Sequence, residues 1–258
     1  MKIKQLFIMV IAMVIVVGCS GNGVKKTDVD EVELMISAAA SLTDALTDLK
    51  NTYEAEHDNV SISFNFGSSG KLATQIEQGA PSDIFLSASS KDMDKVDSLG
   101  LIDKSTRVDF TKNALVLIAN NDSQMTIRSF KEIDPATISH LAVGVPESVP
   151  VGRYTKEVFE HLGLWEPLQS KLVMGSDVRQ VLTHVEMGNA DLGVVYSSDA
   201  FISDKVKVLA ESDPAWHAQI VYPGAIVKNT NHQQAAQDFL DFLISEKGQT
   251  VFEEYGFK

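Results

Sequence analysis

The strongest constraint on the fold of this chain is a regular alternation of two sequence patterns. Short apolar runs rich in β-branched residues are typical of buried strands and occur at residues 32–37, 83–87, 141–145 and 192–196. Between such runs, apolar residues recur every three to four positions, which is the spacing of an amphipathic helix. The alternation predicts an α/β fold with mainly parallel sheets.

Two positions along the chain suggest that it forms two lobes instead of one. The apolar run 114–119 lies where the chain would leave a first sheet, and the runs 220–221 and 225–227 lie where it would return. We therefore expect two α/β lobes joined by a two-strand hinge. Lobe 1 would contain residues 31–111 and 222–258, and lobe 2 residues 112–221. Ligands of open α/β sheets bind beyond the carboxyl ends of the strands, so the cleft between the lobes is the expected site.

The N-terminal residues read as an export signal and not as part of the fold. Two lysines precede the apolar run 6–17, and Gly18-Cys19 follows it, which resembles a bacterial lipoprotein cleavage box. This predicts a signal peptide at residues 1–18, a lipid on Cys19 and a flexible tether at residues 19–30. Cys19 is the only cysteine in the chain, so no intramolecular disulfide can form.

The net charge excludes some classes of partner. A formal charge of −13 disfavours nucleic acid and acidic lipid surfaces, so neither is expected as a ligand. The six histidines show no metal-ligand spacing, so no metal ion bound directly by side chains is predicted. An anionic ligand would have to be held by local dipoles against the overall field of the protein.

Four predicted strand–helix junctions offer such dipoles. The first amides of a helix lack intrahelical partners, and the helix dipole adds partial positive charge there. Ser41, Ser69, Val151 and Val178 lie at these junctions, and the two serines add hydroxyl donors. Tyr196, at the end of a predicted strand, would add a phenol. Any one of these residues could simply cap a helix or pack, so the prediction depends on their combination.

Several segments together resemble the bacterial molybdate-binding proteins, which are the substrate-binding components of ABC transporters. The matching segments are Ala38-Ala-Ala-Ser-Leu-Thr43, Gly67-Ser-Ser-Gly70, Gln75-Ile-Glu-Gln-Gly-Ala-Pro-Ser-Asp83, Asp177-Val-Arg179 and Gly193-Val-Val-Tyr-Ser-Ser-Asp-Ala200. They occur in order along nearly the whole chain after the tether. The resemblance implies a periplasmic-binding-protein-like fold of type II, with no cofactor and no catalytic residue.

The resemblance also implies the ligand and its contacts. Molybdate or tungstate would be held by hydrogen bonds alone, from Ser41, Ser69, Val151, Val178 and Tyr196. Whether Ser68 or Ser69 faces the ligand stays open, and we favour Ser69. The expected protein is a monomer in the cell envelope, lipid-anchored through Cys19, that delivers its oxyanion to the permease of an ABC transporter in the cytoplasmic membrane.

Three alternatives differ in class. The pattern Ser68-Ser-Gly-Lys71 matches the start of a serine acyl-transfer site, but its partner motifs are absent from the sequence. Arg153 and Arg179 lie near candidate junctions, so an organic anion bound by an arginine fork is a second alternative, alongside sulfate or phosphate. A lipid-anchored oxyanion sensor is the third.

Overall fold

The computed structural model describes residues 31–258. The predicted signal peptide (1–18) and tether (19–30), with Cys19, lie outside the described residues. Within the described range, ten strands alternate with nine α-helices, and short 3-10 turns join some of them. No helix in this range is long and apolar enough to cross a membrane.

The first sheet contains the first four strands and the last one. They are β1 (Val32–Ala39), β2 (Val60–Gly67), β3 (Ile84–Leu86), β4 (Val108–Lys112) and β10 (Val221–Ile226), in the order β2-β1-β3-β10-β4. The helices of this lobe are α1 (Thr43–Glu56), α2 (Ser69–Glu77), α3 (Ser90–Ser98), α8 (Gln233–Ile244) and α9 (Glu246–Glu254). Their buried faces carry the apolar residues that the helical spacing predicted, including Leu46 and Leu49.

The second sheet contains the five middle strands. They are β5 (Leu115–Asn120), β6 (Leu141–Gly144), β7 (Leu172–Gly175), β8 (Leu192–Tyr196) and β9 (Val206–Glu211), in the order β7-β6-β8-β5-β9. The helices of this lobe are α4 (Pro150–His161), α5 (Trp165–Leu168), α6 (Val178–Glu186) and α7 (Ser197–Phe201).

The chain passes between the sheets twice, which confirms the prediction of two α/β lobes. It leaves the first sheet through residues 113–114 and returns through residues 212–220. The expectation of mainly parallel sheets is wrong, because each sheet has two parallel and two antiparallel pairings. The antiparallel pairings all involve β5 or β10, the strands that follow the two crossings.

The lobe boundaries at 111/112 and 221/222 stay a prediction. Lys112 and Val221, which those boundaries assign to lobe 2, lie in strands of the first sheet.

The C-terminus packs beside the crossings. Lys112 and Lys258 exchange backbone hydrogen bonds of 3.2 and 3.0 Å, so Lys258 pairs with the last residue of β4. The ring of Phe257 contacts those of Phe252 and Tyr222 edge-on, with centroids 5.4 and 5.5 Å apart. These contacts place Tyr222, at the start of β10, in a closely packed aromatic cluster next to the crossing.

Four of the helices that begin just beyond the carboxyl ends of strands contain or follow the predicted junction residues. α1 follows β1 after one 3-10 turn, α2 follows β2, α6 follows β7, and α4 follows β6 after a short loop. At α4 the approach is so close that a Cβ on Gly152 would lie 2.0 Å from the carbonyl oxygen of Gly144. Only glycine permits this contact, which holds the first turn of α4 against the end of β6.

Candidate interlobe binding site

A small cavity lies between the two lobes, and all five predicted site residues line it. Ser41 and Ser69 come from lobe 1, and Val151, Val178 and Tyr196 come from lobe 2. Its volume of about 10 Å³ is far below the ~300 Å³ at which pockets for drug-sized organic ligands begin. The size suits a small inorganic ion better than an organic molecule.

Ser41 lies in a 3-10 turn, Ala40–Leu42, that joins β1 to α1. One short turn therefore separates the end of β1 from the start of α1. Ser41 is buried, and its hydroxyl lies 2.9 Å from the hydroxyl of Tyr222. Sequence reasoning missed Tyr222, because it is 181 residues away along the chain and lies in the returning strand.

The two serines at the start of α2 differ in their partners. Ser69 is the first residue of the helix, and its hydroxyl oxygen accepts a hydrogen bond of 2.9 Å from the Ala88 amide. This leaves the Ser69 hydroxyl proton free to be donated. Ser68 is the N-cap residue, yet its hydroxyl makes no cap bond and has no partner among residues 31–258. Both serines line the cavity, so the choice between them stays open.

Val151 and Val178 are each in the first turn of a helix. Pro150 is the first residue of α4, and Val151 is its second residue. Proline suits this position because its missing amide hydrogen would have had no partner. Val178 is the first residue of α6, whose Asp177 cap accepts from Gln180 at 3.0 Å. Both valine amides lie among those that lack intrahelical acceptors.

Tyr196 ends β8, and its hydroxyl is buried without a hydrogen-bond partner in the described part of the chain. Burial, together with the nearby Tyr222, raises the pKa of Tyr196 well above its ordinary value of 10.0. The phenol is therefore neutral and keeps its proton. A buried hydroxyl without a partner is costly, and a ligand acceptor in the cavity would remove that cost.

The two arginines near the junctions do not line the cavity; each pairs with carboxylates instead. Arg153 on α4 pairs with Asp92 on α3, and both side chains are largely buried. Arg179 on α6 pairs with Asp44 on α1 at 2.5 Å and with Asp199 at 3.0 Å. Because their charges are already paired, neither provides the free fork that an organic carboxylate would need.

Two of these ion pairs join the lobes, and a backbone hydrogen bond does the same. The amide of Gly70 on α2 donates to the carbonyl oxygen of Ser148, before α4, at 3.1 Å. A Cβ at Gly70 would lie 2.5 Å from that oxygen. The lobes are therefore in direct contact around the cavity, and glycine at position 70 permits the closest approach.

Asp199 is fully buried beside Tyr196 at the start of α7. Burial raises its pKa from 3.8 to about 6, and Arg179 opposes part of this increase. No group of three or more potential metal ligands occurs between residues 31 and 258. The polar groups of the cavity wall are hydroxyls, backbone amides and the Asp177 carboxylate, which accepts from the Gln180 amide as the cap of α6.

Two lobes that meet around a small, donor-lined cavity define the class of two-lobed substrate-binding proteins. Residues 34–258 match the family model described as bacterial extracellular solute-binding protein, and the chain belongs to this family. It is therefore a solute-binding protein and not an enzyme, as the sequence predicted.

Curated relatives and a solved structure agree with this assignment. The chain is 42% identical to YvgL of Bacillus subtilis (strain 168), described as a proposed ABC transporter substrate-binding lipoprotein, over 95% of this chain and 94% of that one. It is 39% identical to the molybdate-binding protein ModA of Haemophilus influenzae, over 87% and 89% of the two chains. The solved substrate binding domain of a proposed molybdenum ABC transporter from Clostridium difficile is 44% identical, with a TM-score of 0.69 and coverage of 88% and 99%.

Proposed function

We propose that this protein captures molybdate outside the cytoplasmic membrane and delivers it to the permease of an ABC transporter. The observation that carries the proposal is the small cavity between the lobes, which hydroxyl and backbone amide donors line from both sides. Molybdate is a dianion with four acceptor oxygens, and it needs such donors. The 39% identity to a molybdate-binding protein supports the choice of ion.

The donors that we assign to the anion are the five that line this cavity. Ser41 and Ser69 would each donate a backbone amide and a hydroxyl, Val151 and Val178 an amide, and Tyr196 its phenol. The unpartnered Tyr196 hydroxyl and the partner-free proton of Ser69 support this assignment. Ser68 remains the alternative to Ser69, and comparing Ser68→Ala with Ser69→Ala distinguishes them.

The energy of such a cage is sufficient for tight binding. Hydrogen bonds to a charged group contribute roughly 1.5–3 kcal/mol each. The seven donors would contribute roughly 10–20 kcal/mol before the cost of immobilising the ion and closing the lobes is subtracted, against the ~8 kcal/mol that corresponds to a micromolar dissociation constant.

Selectivity would follow from donor geometry and size. A site made of donors disfavours a protonated anion such as hydrogen phosphate, whose O–H would lack an acceptor. Asp177 also lines the cavity, but its carboxylate is already used as the cap of α6. Sulfate has the charge and shape of molybdate but is smaller, so its bonds to a rigid cage would be stretched. Tungstate is nearly the size of molybdate and should bind as well.

Calorimetric titration of the purified protein with molybdate, tungstate, sulfate and phosphate tests this proposal. We expect micromolar or tighter binding of the first two and none of the others. Equal affinity for sulfate would refute the size argument. Unchanged molybdate affinity in both Ser41→Ala and Tyr196→Phe would refute the assigned site, even if molybdate binds.

The location and partners in this proposal rest on the family and on residues outside the described range. The extracellular family and the lipoprotein relative support an exported protein held at the membrane by a lipid on Cys19. A Cys19→Ser variant should shift from the membrane fraction to the soluble fraction of the cell envelope. We further propose that the protein acts as a monomer, which light scattering of the purified protein would check.

A further inference from the structure

A chain of hydrogen bonds leads from the two lobe crossings to Ser41. Asn113 lies in the first crossing, directly after β4, and its side-chain nitrogen is 3.3 Å from the Tyr222 hydroxyl. The Tyr222 hydroxyl is in turn 2.9 Å from that of Ser41 in the cavity wall. Asn113, Tyr222 and Ser41 are all buried, so water does not compete for these bonds.

The orientation of the Asn113 amide is fixed by its neighbours. Its oxygen accepts from the Ala114 backbone amide at 2.9 Å, and an amide N–H can only donate. The same oxygen accepts from the Ser197 hydroxyl at 2.8 Å. The side-chain nitrogen therefore points the other way, and its two hydrogens are directed to Ser198, at 2.8 Å, and to Tyr222.

This orientation determines where the Tyr222 proton goes. Because Asn113 donates to the Tyr222 oxygen, and an amide nitrogen cannot accept, the Tyr222 proton has only Ser41 as a partner within the described residues. Burial and the nearby Asp199 raise the pKa of Tyr222 well above 10.0, so it holds this proton at physiological pH. The Ser41 oxygen thus accepts from Tyr222.

We infer that Asn113 and Tyr222 are positioning residues that turn the Ser41 hydroxyl proton into the cavity, toward the bound anion. A serine hydroxyl has one proton, and the bond from Tyr222 prevents Ser41 from donating it to Tyr222. The cavity is then the remaining direction for that proton. The inference rests on the proposed binding of molybdate and adds to it two residues that do not line the cavity.

A double-mutant cycle separates the effect of these hydrogen bonds on molybdate binding from the effect of Tyr222 packing. Tyr222→Phe keeps the ring in its aromatic cluster but removes the bond to Ser41. We expect it to weaken molybdate binding about 5- to 10-fold, in the range of one oriented hydrogen bond. In a Ser41→Ala background the same change should have no further effect, because the hydroxyl that it orients is gone.

The Asn113→Asp variant distinguishes a positioning role of Asn113 from a purely structural role. An ionised aspartate has no proton to donate, so the Tyr222 hydroxyl would donate its proton to the carboxylate at position 113 instead of to Ser41. The Ser41 hydroxyl would then donate to Tyr222, and the lone pairs of Ser41 would face the anion. The variant should bind molybdate much more weakly. Adding Tyr222→Phe to Asn113→Asp should then improve binding, because Ser41 is freed, whereas the same change weakens the wild type.

Titration calorimetry with molybdate on the purified full chain measures all of these affinities, and thermal unfolding checks that each variant is folded. Tyr53→Phe is the matched control, since Tyr53 is equally buried in lobe 1 but its hydroxyl does not bond to Ser41, whose partner is Tyr222. It should leave the affinity unchanged. Wild type that fails to bind molybdate would overturn the proposed function and this inference together. If the wild type binds molybdate, and Tyr222→Phe lowers the affinity by the same factor in the wild type, in Ser41→Ala and in Asn113→Asp, the inference alone is overturned.

Discussion

Replacing Arg153 should weaken ligand binding even though its side chain does not line the cavity. Arg153 on α4 and Asp92 on α3 form an ion pair across the lobes, with only 12% and 8% of their side chains exposed. Burial raises the pKa of Asp92 despite the opposing effect of Arg153, so the closed arrangement already carries a desolvation cost. In Arg153→Gln, closing the lobes would bury the Asp92 carboxylate without its partner.

The magnitude follows from the cost of an unpaired buried charge. Breaking a buried pair by removing one partner costs about 3–5 kcal/mol. The lobes can avoid part of this cost by staying open, so the loss appears in the ligand affinity. We expect the molybdate dissociation constant to rise about 100-fold at pH 8, which corresponds to ~3 kcal/mol.

Acid should reverse part of this loss. Without Arg153, the pKa of Asp92 in the closed state rises further above its ordinary 3.8, because the charge that lowered it is gone. Closing then takes up a proton, and closure coupled to proton uptake becomes more favourable as the pH falls. The penalty in Arg153→Gln should therefore shrink between pH 8 and pH 5.

Calorimetric affinities of four proteins at both pH values test the reasoning. Arg107→Gln is the control, since Arg107 pairs with Asp94 at 2.6 Å within lobe 1 and should have no effect. Asp92→Asn combined with Arg153→Gln should regain most of the affinity, because no charge is left to bury. If Arg153→Gln binds as tightly as the wild type, or if the double variant binds no better than the single one, the pair does not control closure.

Gly70→Ala should weaken binding several-fold without lowering the unfolding temperature, because its Cβ would lie 2.5 Å from the Ser148 oxygen only when the lobes are closed. Tyr196→Phe should weaken molybdate binding about 10- to 100-fold in calorimetry but leave the ligand-free protein as stable as the wild type, since the hydroxyl has no partner in residues 31–258. The raised pKa of Asp199, about 6 against 3.8, makes the folded state lose stability as the pH rises through this interval. Urea denaturation should show a loss of about 2 kcal/mol from this group between pH 4 and pH 7, absent in Asp199→Asn.

The junction residues could be predicted because their chemistry is local. Each of Ser41, Ser69, Val151 and Val178 is adjacent in sequence to the strand end and the helix start that define its role. The pattern of apolar runs locates those ends to within a few residues. The pattern does not resolve the turns themselves, such as the 3-10 turn at Ser41 and the start of α4 at Pro150.

The partners of these residues could not be predicted, because tertiary contacts determine them. Tyr222 and Asn113 reach Ser41 only because the chain crosses between lobes at both places. The mixed pairing of both sheets has the same origin, since β5 and β10 follow the crossings. No local pattern reports that a strand will pair with a segment more than a hundred residues away.

In the proposed site an acidic protein would hold a dianion with neutral donors, because the nearby arginines are used elsewhere. Arg153 and Arg179 hold the lobes together through Asp92 and Asp44, so their charges oppose the separation of the lobes and do not select the ligand. Selection is left to neutral donors, whose directions are fixed by helix starts and by Tyr222. A cationic side chain in the cavity would attract any anion, whereas fixed donors reward only an ion whose oxygens match their positions. Removing an interlobe arginine should therefore weaken all bound oxyanions by a similar factor, and removing a cavity donor should change their ranking.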